Sequence, residues 1–282
     1  MRDYVRFAVV AGAFVTAAAC AKQQDKPPAA SPPAAPPVVT IHAKDFAYTM
    51  PDTVPAGYVT FHLVNDGPDL HHATIVRLDS GKTMADMEAA LKHPGPLPAW
   101  LVSLGGPNAP APGDTSNATL NLTAGSYAVL CFVDVPGGVP HFAKGMVHPL
   151  VVAAAAGGAP AAPPTADIAV TLVDYGFEFS KPLTAGHHVF AVTDSGPQMH
   201  ELELVQLAPG KTGEDVVKWV QNPQGPPPGK PIGGIAGVVP HVPTYFSADL
   251  AKGNYLFICF VPDAKDGKPH FMHGMMHTET IE

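Results

Sequence analysis

Two stretches of the chain hold residue types able to do metal chemistry. One is CFVDVPGGVPHFAKGM, from Cys131 to Met146, and the other is CFVPDAKDGKPHFMHGM, from Cys259 to Met275. Each sets a Cys, a Pro-His pair and a Gly-Met pair in the same order, while the residues between the shared CFV and Pro-His differ. Thiolate, imidazole and thioether are soft or borderline donors, and the thioether favours copper over zinc. Taken singly, each has a plainer use: the cysteine as a buried strand end, the histidine in a turn, the methionine as core filler. The recurrence of all the types in both stretches favours a metal site in at least one of them.

The stretches recur because the chain repeats itself. DFAYTMPDTVPAGYVTFHLVNDGPDLHH matches DYGFEFSKPLTAGHHVFAVTDSGPQMHE at an offset of 129, which sets Asp45 on Asp174, Phe61 on Phe190, Pro68 on Pro197 and His71 on His200. GSYAVLCFV then matches GNYLFICFV at 128, and PHFAKGMVH matches PHFMHGMMH at 129 again. Compensating one-residue shifts in loops fit a divergent duplication. The repeat also selects between the two histidines of the HH pair. His71 meets a histidine, whereas His72 meets Glu201. Strand alternation puts His71, Ala73 and Ile75 on one face, as it does His200, Leu202 and Leu204, and that face reads as inward. His72, Thr74, Glu201 and Glu203 fall on the other, which reads as solvated.

Positioning these residues falls mostly to strands. VVTIHAKDF, GYVTFHLVN, HHATIVRL, ATLNLTAGSYAVLCFV and MVHPLVVAA are β-rich runs bounded by Gly, Pro, Asn or Asp, and their spacing suggests a sandwich. One short helix is expected in each half, after the capping-box pairs Thr83/Asp86 and Thr212/Asp215.

With its late Cys…His…Met and its earlier histidine, each half resembles a cupredoxin domain. The resemblance implies an all-β chain of two tandem Greek-key β-sandwiches, each with one short helix. It also implies mononuclear copper sites at His71, Cys131, His141 and Met146 and at His200, Cys259, His270 and Met275. One feature departs from the family, in which two to four residues usually separate the Cys from the next His. Here there are nine after Cys131 and ten after Cys259, as though a hairpin were inserted. HFMHGMMH adds Met272, His273, Met276 and His277, a soft surface able to take Cu(I) or merely to cover a strand end. A disulfide between Cys131 and Cys259 is a further alternative use of the thiols.

The start of the chain reads as an export signal. MRDYVR supplies two arginines, and 13 residues, FAVVAGAFVTAAA, form an apolar run ending at Ala19. The run is short for a bilayer span and suits a secretory leader. Small residues lead into Cys20, which resembles the lipidated cysteine of bacterial lipoproteins, with Ala17 where that family usually has Leu. The organisation expected is a leader over 1–19, a Pro/Ala-rich tether over 20–37, sandwiches over 38–153 and 167–282, and a linker over 154–166. This places the protein outside the cytoplasm, anchored by Cys20 to the periplasmic face of a bacterial membrane, with the outer membrane weakly favoured.

The net charge is −8 and only 14% of residues are charged. With no Lys/Arg cluster, nucleic acid is an unexpected partner. No phosphate-binding loop, nucleophile elbow or zinc-protease motif occurs. Leu130 and Phe132, and Ile258 and Phe260, flank the late cysteines, where multicopper oxidases and copper nitrite reductases usually carry histidines. The expectation is therefore electron transfer without enzymatic activity, to a redox or copper-handling protein partner. Copper storage or delivery, and a metal-free interaction module of the cell envelope, are the alternatives.

Overall fold

In a computed structural model, Ala8 and residues 34–282 are described, except 94, 96, 156, 158–160 and 239. The leader, Cys20 and nearly all of the tether lie outside the described residues. The expected strands form because Val, Ile, Phe, Tyr and Thr alternate with polar residues between turn-forming Gly and Pro. Val38–Lys44 and Gly57–Asn65 bury every second side chain.

Each half is a two-sheet sandwich. In the first, Ala47–Thr49, Val38–Lys44, Gly57–Asn65 and Thr115–Leu122 lie side by side. Facing them are Thr53–Pro55, Val147–Ala153, Gly125–Leu130, Thr74–Leu78 and Leu101–Ser103. Between the sheets sit Ile41, Phe61, Leu63, Ile75, Leu120, Val129 and Leu150, together with Cys131 and Met146. Each such buried aliphatic or aromatic side chain contributes about 1.5–3 kcal/mol of transfer free energy. The second half repeats the order: Gly176–Phe179, Ile168–Val173, Gly186–Asp194 and Thr244–Leu250 face Met276–Ile281, Gly253–Ile258, His200–Leu207 and Gly229–Val238. Both helices stand where the capping boxes put them, at Met84–Leu91 and Gly213–Gln221, and each box is closed in both directions. Among the described residues no helix is long and apolar enough to cross a membrane.

The halves are joined twice. Thr115–Leu122 and Thr244–Leu250 meet at Thr119 and Tyr245, so the first sheets of both halves form one eight-stranded sheet. Asn117 Nδ2 donates to the Ser247 carbonyl and Ser247 N–H donates back to Asn117 Oδ1, each at 2.9 Å. On the other layer, segment 104–111 works as a strap. Ala73 and Ile75 N–H donate to its Pro107 and Gly105 carbonyls at 3.0 and 2.7 Å. Along its other edge Asn108 N–H donates to Gly234, and Ala236 N–H donates to Gly106, at 3.1 and 2.9 Å. From Pro33 to Glu282 the chain accordingly clusters as one unit.

This packing corrects one expectation. His72, Thr74, Glu201 and Glu203 do not face water; all four are buried. Alternation along a strand gives a wet face only where the sheet is covered once. Here the outer face is covered again. Val76 on it packs with the helix residue Met87 and with Leu101 and Leu130. His72 and Glu203 meet the strap: His72 Nδ1 stands 3.4 Å from Asn108 Oδ1, and Ala109 N–H donates to Glu203 Oε2 at 3.2 Å.

Candidate metal centre

Cys131 follows directly on the strand Gly125–Leu130, and the nine residues after it do not wander. Asp134–Val135 and Val139–Pro140 pair as a hairpin. Its open end is pinned: His141 N–H donates to the Val133 carbonyl, and Phe142 N–H to the Cys131 carbonyl, both at 2.8 Å. A 3₁₀ turn, His141–Lys144, starts at Pro140 and ends on Gly145 in the left-handed region at φ 103°. The chain then returns, with Met146 N–H donating to the His141 carbonyl at 3.0 Å and Cys131 N–H facing the Met146 carbonyl at 3.4 Å. The long insertion thus leaves its two ends together. His71 arrives separately, just before the strand Thr74–Leu78, on a turn built around Gly67. A methyl group there would stand 2.7 Å from His71 Nε2, so only glycine admits the ring.

The three side chains converge. Cys131 Sγ lies 3.5 Å from His141 Nδ1, which lies 3.1 Å from His71 Nδ1. One donor atom from each falls within 4.8 Å of the others, and all three residues are buried. Met146 is fully buried in the core cluster that holds Cys131. Burial, aided by the neighbouring His141, lowers the His71 pKa to about 4. Burial also lowers that of His141. It raises the Cys131 thiol to about 11. Without a metal the site therefore holds two neutral imidazoles and a thiol at neutral pH. Neutral imidazoles and a thiol able to give up its proton make a ligand set that fits a copper ion.

Several partners of the site carried no signal in residue type. Phe46 holds φ at 66°, a strained value for a bulky residue, and sets its ring edge-on to His141 with centroids 4.9 Å apart. Tyr48 stands against the Cys131 thiol and donates to the His72 carbonyl. Burial first, then this thiol, raise the Tyr48 phenol well above its usual value. His72 is not a donor to the cluster; its Nε2 accepts from Phe132 N–H at 2.6 Å. Comparing DFAY with DYGF marks an aromatic at both positions in both halves, Phe46 with Tyr175 and Tyr48 with Phe177, but only Tyr48 carries a hydroxyl at the second.

The second half holds the same donor types without gathering them. Its turn, His270–His273, again follows Pro269 and ends on Gly274 at φ 98°. Cys259 Sγ lies 3.4 Å from His270 Nδ1, and Met275 is fully buried. The His200 ring stands as close to His270 as His71 does to His141, with centroids 4.8 and 4.9 Å apart, but its two edges are exchanged. Its Nδ1–H donates to Asp194 Oδ1 at 2.9 Å, and its Nε2 faces Asp174 Oδ1 at 3.2 Å. Among the described residues, His200, Cys259 and His270 do not form a convergent set like that of the first half. Cys131 and Cys259 are both free, so the alternative of a disulfide between them is not realised. Of the extra soft residues, Met272 is exposed, His273 Nε2 lies 3.2 Å from Asp266 Oδ1, and His277 Nε2 lies 3.1 Å from Glu279 Oε2.

No protein-family model and no curated protein matches the sequence. Among solved structures, reduced auracyanin from Roseiflexus castenholzii is 25% identical, with 43% of this chain and 99% of that one covered and a TM-score of 0.29. Auracyanin A from Chloroflexus aurantiacus, described as a "blue" copper protein, is 21% identical over 42% of this chain and 99% of that one, with a TM-score of 0.30. Copper nitrite reductase from Nitrosomonas europaea is 14% identical over 87% of this chain and 93% of that one, with a TM-score of 0.25. The last corrects the expectation of no enzymatic activity. That expectation rested on the residues flanking the late cysteines, which do not by themselves exclude an enzyme.

Proposed function

We propose that this is a copper-binding electron-transfer protein whose working site is in the first half. The observation that carries the reading is the convergence of His71, Cys131 and His141 in a buried pocket of the sandwich. His71, Cys131 and His141 would hold the ion, with Met146 as the thioether beside them. Copper bound there supplies a one-electron couple. The chain's own residues do the rest. The strand end, the pinned hairpin and the Gly67 turn fix three donors from three backbone positions. Phe46 covers His141, and burial keeps water from the thiol. A site held this firmly has little to rearrange when the charge on its metal changes.

The reading extends to the setting. The chain is a duplicated two-sandwich protein, exported and tethered through a lipidated Cys20, and it exchanges electrons with a protein partner at the membrane face. The leader and the Pro/Ala-rich segment after it support the tether. The same strand order in both halves supports the duplication. Voltammetry of the copper-loaded chain tests the central part: a reversible one-electron couple is expected, absent from Cys131→Ser. Tight copper binding without a reversible couple would favour storage or delivery instead.

A further inference from the structure

The second half keeps a Cys, two His and a Met, yet the ring of His200, though in place beside His270, has its two edges exchanged. One difference beside that ring lies at the end of the preceding long strand, where an amide in the first half is a carboxylate in the second. Asn65 and Asp194 are equivalent at the offset of 129, and both are fully buried. Asn65 spends its side chain on backbone: Nδ2 donates to the Asp69 and Pro110 carbonyls at 2.9 and 3.0 Å, and Oδ1 accepts from Gly67 N–H at 3.1 Å. None of these bonds involves the His71 ring.

Asp194 keeps only the accepting part of that pattern, since a carboxylate has no proton to donate. Oδ1 takes Gly196 N–H at 2.9 Å, as in the first half. With no donors to send elsewhere, the carboxylate collects them. Oδ2 accepts from His200 N–H at 3.1 Å, and Oδ1 from His200 Nδ1–H at 2.9 Å. The consequence shows at the neighbouring glycine. In the first half the Nε2/Cδ2 edge of the histidine faces Gly67, leaving Nδ1 toward His141; in the second, the Cε1/Nδ1 edge faces Gly196. Asp174, equivalent to Asp45, stands by the same edge, with Oδ1 3.2 Å from Nε2. Both nitrogens of a fully buried ring thus face acids rather than Cys259.

We propose that Asp194 is a lock on a latent second copper site. It holds His200 out of the donor set, so the chain carries one copper, in the first half. Residue 194, rather than the Cys, His and Met inventory, sets the occupancy of the second half. Asp194 is a positioning residue and does not itself touch the metal. The inference rests on the copper reading of the first half.

The test is copper content and visible absorption of the full chain, purified in detergent and titrated with Cu(II). Wild type is expected to take about one equivalent with thiolate-to-copper colour, and Asp194→Asn about two. Adding Cys259→Ser to Asp194→Asn should return the count to about one, which locates the second ion. The reciprocal Asn65→Asp keeps the idea testable should Asp194→Asn not fold. It should weaken first-half copper retention against a chelator by about 10–100-fold, the usual cost of a disturbed ligand orientation. Two coloured equivalents in wild type, a folded Asp194→Asn that stays at one, or full retention in Asn65→Asp would each overturn the lock while leaving the function standing. No copper in any of these proteins would overturn both.

Discussion

At the scale of single residues, the site is defined by protonation as much as by position. His71 and the neighbouring His72 both have pKa values lowered to about 4, chiefly by burial. An unfolded chain holds them near 6.5. Between those values the unfolded state binds more protons, so the contribution of these two histidines, set against buried Glu201 (raised to about 7) and Glu203 (also raised), which hold extra protons in the folded state there, is present in full above pH 6.5 and lost as pH falls toward 4. Cys131 acts in the opposite sense: raised to about 11, it favours the folded state below the ordinary thiol range, and that contribution disappears as pH rises through 11. Denaturant melts across pH of wild type beside Glu201→Gln separate the histidine contribution from the opposing carboxylate one. Since both imidazoles are already neutral at pH 7, copper loading should release about one proton, from Cys131. Calorimetric titration in buffers of different ionisation enthalpy measures it. Tyr48 gives a further prediction. Its one hydroxyl proton goes to the His72 carbonyl, so Tyr48→Phe leaves a buried acceptor short of a donor and should cost about 1 kcal/mol of stability in a denaturant melt. Residue type and the repeat were enough to single out His71, Cys131 and His141. They could not show that Asn65 and Asp194 act differently, because that difference lies in which hydrogen bonds an amide and a carboxylate can donate.

At the scale of elements, turns do the positioning. The His141–Lys144 turn and its twin at His270–His273 share a Pro before and a left-handed Gly after. Gly145 has open space around it, so a methyl group there meets only backbone strain. Gly145→Ala should cost about 1 kcal/mol, and because Met146 follows directly it should also shift the visible spectrum. A thermal melt and an absorption scan of the same sample check this. The helices were legible because a capping box is a local signal four residues long, and both appear where Thr83 and Thr212 place them. The long Cys–His loop was not, since its closure depends on His141 N–H reaching Val133 across the hairpin. Strand alternation failed at His72 and Glu203 for a related reason. The layers that cover them, the helices and the strap, come from distant sequence, so no local period records them.

At the scale of the whole molecule, the repeat reads as two sandwiches, but the structure joins them through one sheet and a strap. Gly106 lies on that strap at φ 151°, and a Cβ there would stand 1.9 Å from the Ala73 carbonyl oxygen. The backbone must give way, so Gly106→Ala should destabilise the protein by about 3 kcal/mol or more. The cost should fall on both halves, and the wild-type chain should unfold in a single calorimetric transition rather than two. Asn108 binds the same junction from within. Its Nδ2 lies 3.2 Å from the Leu202 carbonyl of the second half, while its Oδ1 faces His72 of the first. The strap's sequence, LGGPNAPA, reads as a loop; its role emerges only when strands from both halves flank it.

Whether Cys131 binds copper is decided by the visible spectrum of the full chain with Cu(II), recorded beside Cys131→Ser. Wild type should show an intense thiolate-to-copper band that is gone in Cys131→Ser. A colourless wild type, or a band that survives the loss of Cys131, would contradict copper binding by Cys131.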